Sequence, residues 1–177
     1  MSGPTVLVLM GVSGCGKTAV AQALVARLGW PLQEGDRLHP PENVEKMRRG
    51  TPLTDADRWP WLDRVAGWID ARLAAGENGI ITCSALRRAY RDRIIGARAG
   101  VRLVFLHGDR ALLAARVAAR KHEYMPASLL DSQLATLEPP GADERPIALD
   151  VTPPPEALAG AVIAALSATQ DVRRPDP

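Results

Sequence analysis

Aromatic residues are scarce: Phe, Trp and Tyr together make up 4% of the 177 residues, and there is one Phe. So few rings leave little for a surface that stacks nucleic-acid bases. Two cysteines occur, Cys15 and Cys83, which is no disulfide framework. Both are expected to be small buried residues. No apolar run approaches the ~18 residues of a membrane span. The first residues, Met1-Ser2-Gly3-Pro4, lack the basic segment and apolar core of a secretory leader. Net charge is +2, too mild to argue for nucleic acid or an anionic membrane as partner. What is there is a balanced chain, 46% hydrophobic and 24% charged. It suits one domain with a sizeable core, and the cytoplasm is the expected location.

The most informative stretch lies near the start: Gly11-Val12-Ser13-Gly14-Cys15-Gly16-Lys17-Thr18. An apolar run, residues 5–10, precedes it and an amphipathic run, 19–28, follows. Strand, glycine-rich turn and helix in that order, with Gly-x-x-x-x-Gly-Lys-[Ser/Thr] at the turn, form a P-loop. Glycines let successive N–H groups curl toward phosphate oxygens, and the helix start adds the positive end of its dipole. Lys17 is placed to reach the β- and γ-phosphates, and the Thr18 hydroxyl to ligate Mg²⁺.

The rest of the chain alternates strands with helices. Strands are expected near 31–33, 79–83, 101–106 and 146–151. Helices are expected after Pro41, from Pro60 to Gly76, through Arg98, over 109–120, over 127–137 and after Pro155. The Trp59, Trp61 and Trp68 rings, at helical spacing, read as core. Residues 121–126 read as a mobile connection, and 167–177 as a frayed tail. Unbroken apolar strands are those of a sheet covered on both faces. The fold class is therefore α/β: a three-layer α/β/α arrangement around a five-stranded parallel sheet, expected in the order 2-3-1-4-5.

A P-loop indicates a nucleotide, not a kinase, so other segments must decide. No apolar strand ends in a clear metal-binding Asp; Asp109 is better read as a helix cap. Glu34 and Asp36 follow the second strand, where open α/β sheets bind ligands. A carboxylate there can orient an attacking hydroxyl or take its proton; an Asx turn beside Gly35 is the structural alternative. Arg116 and Arg120 lie one turn apart, suited to the spread charge of phosphoryl transfer. Arg58, Arg87, Arg88 and Arg91, with His39 and Lys46, would suit an anionic, hydroxylated substrate. Solvated surface is the alternative for each, and the expectation for Arg88 and Arg93.

Taken together, these segments closely resemble the P-loop gluconokinases, relatives of shikimate kinase and the nucleoside monophosphate kinases. The matching stretches are the P-loop, GDRLHP from Gly35, NVEKM from Asn43, GTPLTDADR from Gly50, PWL from Pro60, CSALR from Cys83, YRD from Tyr90, LEP from Leu137 and Asp143-Glu144. Small departures are Cys15 and Thr18, where serine is usual, and Glu34 before Gly35. The resemblance implies a P-loop kinase fold in one domain, with a substrate-binding helical segment at about 40–75 and a lid at about 120–134. It implies the reaction of ATP, with Mg²⁺, and D-gluconate to give ADP and 6-phospho-D-gluconate, in a homodimer. Carried over by position, Gly11, Val12, Ser13, Gly14, Cys15, Gly16, Lys17 and Thr18 would bind ATP and Mg²⁺. Asp36 would sit beside the reacting hydroxyl. His39, Lys46, Arg58, Arg87 and Arg91 would meet the carboxylate and hydroxyls, and Arg116 and Arg120 the phosphates. A shikimate or nucleotide kinase of the same fold, or an ATP-binding switch protein, would share the P-loop but not this substrate set.

Overall fold

A computed structural model describes residues 3–119 and 127–171. Five strands, β1 (Val6–Met10), β2 (Leu32–Glu34), β3 (Gly79–Thr82), β4 (Val101–His107) and β5 (Ile147–Asp150), form one sheet in the order β2-β3-β1-β4-β5. Every neighbouring pair is parallel, with Val8 of the central strand opposite Ile81 and Leu103. Parallel pairing puts all five carboxyl ends, and the loops that follow them, on one edge. The expected order and the three-layer α/β architecture are therefore what the chain adopts.

Alternation along β1 divides the core. Leu7 and Leu9 point to one face, where α1 (Lys17–Leu28), α5 (Arg110–Ala118) and α7 (Pro155–Asp171) pack; Leu130 of α6 (Ala127–Thr136) joins them. Val6, Val8 and Met10 point to the other, against α3 (Asp55–Ala74) and α4 (Arg88–Ile94). All five β1 side chains are fully buried. Each contributes on the order of 1.5–3 kcal/mol of hydrophobic stabilisation. No helix among the described residues is long and apolar enough to cross a membrane.

Several boundaries depart from expectation. The helix expected from Pro60 begins instead at Asp55, because Thr54 and Asp57 form a reciprocal capping box. Pro60 sits inside it without an N–H to give, and burial of Trp61, Leu62 and Val65 holds that turn onto the sheet. Trp61 is core as expected, but Trp59 is exposed and meets Tyr90 edge-on. The basic helix stops at Ile94, short of Arg98, where Gly96 turns to positive φ. The last helix continues to Asp171, so 167–171 are helical rather than frayed. The expected mobile connection at 121–126 and residues 172–177 lie outside the described residues. A short helix, α2 (Pro41–Arg48), starts at Pro41 as expected.

One close approach shapes the edge. After β2 the chain turns through a 3₁₀ turn, Gly35–Leu38. A Cβ on Gly35 would stand 2.1 Å from the Thr82 carbonyl of β3. Gly67, inside α3, has open space around it. Gly35→Ala should therefore lower stability by about 1–3 kcal/mol as the two strands are forced apart. Gly67→Ala should raise it by about 0.5–1 kcal/mol through helix propensity. Urea unfolding of the two variants beside the parent measures both, and equal shifts would contradict this packing.

Candidate active site

The loop after β1 is a nest of amides. Gly11, Gly14 and Gly16 all have positive φ. Gly14 also lies so close to α5 that a Cβ would meet the Leu113 carbonyl at 2.9 Å. The first intrahelical bond of α1 runs from Val20 to the Gly16 carbonyl. The N–H groups of Lys17, Thr18 and Ala19 therefore precede the ladder and point out of the helix start. Lys17 curls over the loop and donates to the carbonyls of Gly11 (2.8 Å) and Val12 (3.3 Å). Cys15 is buried beneath it, as expected, and Thr18 is exposed on the first helical turn. The Gly11 amide also donates to Ser84 O, tying the loop to the segment that follows β3.

Asp36 is exposed on the 3₁₀ turn at the end of β2. Its turn is held at both sides of Gly35. The Gly35 amide donates to Thr82 Oγ1 (3.3 Å), and the Gly35 carbonyl accepts from Trp61 Nε1 (2.8 Å). Glu34 is not free beside it, because its carboxylate accepts a short hydrogen bond from the Thr82 hydroxyl. Burial pushes the thiol of Cys83 up to about 12; Asp36 adds to the rise and Lys17 opposes it. β3 lies between β1 and β2 in the sheet, so the P-loop and the turn that carries Asp36 emerge on either side of its end.

His39 lies flat on Trp61, ring centroids 4.1 Å apart. Burial lowers its pKa, partly opposed by Asp36 and reinforced by Arg58. Asn43 Nδ2 donates to the Asp57 carbonyl (2.8 Å) and faces His39 Nδ1 at 3.3 Å. An amide nitrogen has only protons to offer, so Nδ1 accepts and the imidazole proton belongs on Nε2. His39 is thereby a neutral donor.

Arg58 of α3 and Arg87, at the start of α4, converge. Their guanidinium carbons stand 5.8 and 6.0 Å from the centre of the Tyr90 ring. Both pair with Asp55, at 3.6 and 3.2 Å. Lys46 is placed differently: its ammonium holds both oxygens of Asp57, at 2.7 and 2.9 Å, bracing α2 against α3. Arg116 donates to the Val151 carbonyl (2.6 Å), in the loop after β5. Arg120 lies outside the described residues.

With this geometry in view, comparison with known proteins is direct. A family model described as an AAA domain matches residues 6–140. A gluconokinase of Gluconobacter oxydans is 54% identical over 141 residues, covering 80% of this chain and 79% of that protein. Among solved structures, a gluconokinase from Sinorhizobium meliloti is 45% identical with a TM-score of 0.82, covering 96% of this chain and 95% of that one. A sugar kinase from Janibacter is 46% identical with a TM-score of 0.86, covering 93% and 95%. The chain belongs to the gluconokinase family.

Within this gluconokinase scaffold, Arg91 sits apart from the other cations. Its side chain is 1% exposed. Its guanidinium pairs with Glu144 at 2.5 and 3.0 Å and donates to the carbonyls of Ala85 and Leu86. Ala85 has a φ of +46°, so Arg91 holds a left-handed turn just ahead of Arg87. The sequence suggested an arginine facing substrate; the structure shows one buried against Glu144 and supporting the loop that leads to Arg87.

Other contributors gave no clear signal in the sequence. Gln133 of α6 reaches back to accept the Ser13 amide at 2.7 Å, which joins α6 to the P-loop. The Glu138 carboxylate accepts the Arg88 amide (2.7 Å) at the start of α4, and its own amide donates to Leu86 O (2.8 Å). Thr82, Asn43, Asp55 and Tyr90 position the side chains described above. Asn43, Asp55, Tyr90 and Glu138 stood in quoted motifs, but the pairing of Gln133 or Glu138 across the fold had no local mark.

Burial alone would raise the Glu144 carboxyl, but Arg91 and the Gly141 amide, with the charge of Arg88, pull it below the usual range. A depressed carboxyl stabilises the fold above its ordinary pKa and loses that contribution as pH falls. Arg91→Ala leaves the buried Glu144 with only the Gly141 amide and Arg88, at 3.6 Å, to offset its charge, so it should cost about 2–4 kcal/mol at neutral pH. Urea unfolding should show the gap from the parent narrowing below about pH 4. A gap that is absent, or constant with pH, would mean that the pair does not support the loop.

Proposed function

We propose that the chain transfers the γ-phosphoryl group of ATP to O6 of D-gluconate, giving 6-phospho-D-gluconate and ADP. The carrying observation is that Lys17, on the P-loop after β1, and Asp36, on the turn after β2, stand at the same carboxyl edge of the parallel sheet, on either side of β3. A phosphate-binding cation and an exposed carboxylate thus open onto one edge of the sheet, where a phosphoryl donor and a hydroxyl can be brought together. The naming of the relatives as gluconokinases supports the acceptor.

In this reading the amides over Gly14, Cys15, Gly16, Lys17 and Thr18 hold the β-phosphate. Lys17 exchanges the carbonyls of Gly11 and Val12 for the β- and γ-oxygens. Arg58 and Arg87 hold the gluconate carboxylate, and His39 Nε2–H donates to a hydroxyl. That leaves O6 beside Asp36. As the O6–phosphorus bond forms and the bond to the ADP oxygen breaks, Asp36 accepts the O6 proton and later releases it to water. Preorganised donors stabilise the charge on the transferring group. Arg116, braced on Val151, serves the phosphates from the far side, and Arg120 has the same role by its spacing. Lys46 acts by stiffening the substrate segment.

Magnesium belongs to the same proposal. Among the described residues no group of three or more His, Cys, Asp or Glu side chains gathers to hold a metal. The exposed Thr18 hydroxyl at the helix start fits a cation that takes most of its oxygen ligands from phosphate and water. When bound, Mg²⁺ neutralises charge on the β- and γ-oxygens. The homodimer and the cytoplasmic setting expected from the sequence go with this reading.

An ADP-release screen over sugar acids, shikimate and nucleoside monophosphates tests it. Gluconate should give the highest kcat/KM. ADP release indifferent to every acceptor would mark an ATPase switch instead. Lys17→Ala should lower kcat on the order of 10²-fold or more with the fold intact. Asp36→Asn should lower it on the order of 10²–10⁴-fold. Steady-state kinetics with circular dichroism as a folding control read both, and unchanged turnover in either would reject its role.

A further inference from the structure

Asp55 begins α3, yet the cap of that helix does not use it. Thr54 Oγ1 accepts the Asp57 amide and Asp57 Oδ2 accepts the Thr54 amide, completing the reciprocal pair alone. The Asp55 carboxylate turns elsewhere. One oxygen accepts a short hydrogen bond from the Tyr90 hydroxyl, the other pairs with Arg87, and Arg58 stands at 3.6 Å. Tyr90 is a firm anchor: burial raises its pKa and the bond to Asp55 raises it further, so the phenol keeps its proton.

Two guanidiniums over one ring repel each other unless an anion lies between them. Asp55 is that anion. It engages a single nitrogen of each arginine, and neither contact is a two-nitrogen fork. Among the described residues no other polar partner takes the remaining N–H groups of Arg58 or Arg87. Planar donors held at one corner, with free edges side by side, suit a second carboxylate. Two positive charges and one negative leave a net single positive charge, matched to a monocarboxylate.

We infer that Asp55, anchored by Tyr90, is a positioning residue that holds Arg58 and Arg87 together as the receptor for the substrate's carboxylate. This rests on the sugar-acid reading given above. The device joins the substrate segment, through α3, to the loop after β3, so the receptor is complete only when those two elements are in register.

The test compares the purified full chain with Asp55→Asn, which keeps the size of the side chain and an acceptor for Tyr90. KM for gluconate should rise roughly tenfold or more. The kcat and the KM for ATP should stay within about twofold. A neutral polyol of the same chain length, glucitol, isolates the carboxylate: its kcat/KM should not change, so the acid-to-polyol ratio falls. In the Arg87→Ala background, Asp55→Asn should add little. Equal losses for acid and polyol, an unchanged or lower KM for gluconate, or full additivity with Arg87→Ala would overturn the inference. Should Asp55→Asn fold poorly, Tyr90→Phe keeps the ring and removes the anchor; it should move the same ratio in the same direction, and an unmoved ratio counts against the inference. The parent enzyme's acceptor preference tests the sugar-acid reading separately, since it involves no variant.

Discussion

Everything at the edge of this molecule depends on the parallel pairing of β1 between β3 and β4. Five consecutive fully buried side chains leave that strand no freedom to slide. A slip of one residue would exchange its two faces, sending Leu7 and Leu9 toward α3 and Val8 toward α1. With the register fixed, the P-loop, the loop before α4 and the turn after β2 emerge side by side. The bond from the Gly11 amide to the Ser84 carbonyl then locks the first two together.

The surrounding contacts are mostly ionic, and they join segments far apart in sequence. Arg91 and Glu144 are buried together across 53 positions, while Asp55 links the start of α3 to Arg87. Such pairs add little net stability when exposed. Their value here is geometric, because they set where a cationic loop points. Lys46 illustrates this between α2 and α3: its bond is the leading reason that the Asp57 carboxyl falls to about 2, with the Thr54 amide and hydroxyl adding to it. The pairing therefore persists over the whole range above ordinary carboxylate titration and weakens only as pH falls from near 4 toward that value.

How much of this was legible beforehand follows the range of each interaction. The P-loop and the cap by Asp109 are local, and the sequence carried them; the strand order agrees with expectation, but no local pattern dictated it. The capping box of α3 was also written locally, as Thr54 and Asp57, but Pro60 drew the boundary later than burial allows. Trp59 faces out because it stands two residues before Trp61, ~200° away around α3, so helical spacing joins Trp61 with Trp68 and not with Trp59. Arg91 read as a surface or substrate cation because arginine is almost never fully buried unless paired. Its partner lies too far along the chain for any local pattern to show. The same holds for Gln133 on the Ser13 amide.

The central claim is that the P-loop delivers a phosphoryl group to the terminal hydroxyl of a sugar acid set beside Asp36. Proton-coupled phosphorus NMR of the product formed from ATP and gluconate tests this most directly. A phosphate ester on the primary carbon couples to two methylene protons, so the account predicts a triplet. A doublet, from an ester on a secondary carbon, or only the singlet of free phosphate, would contradict it.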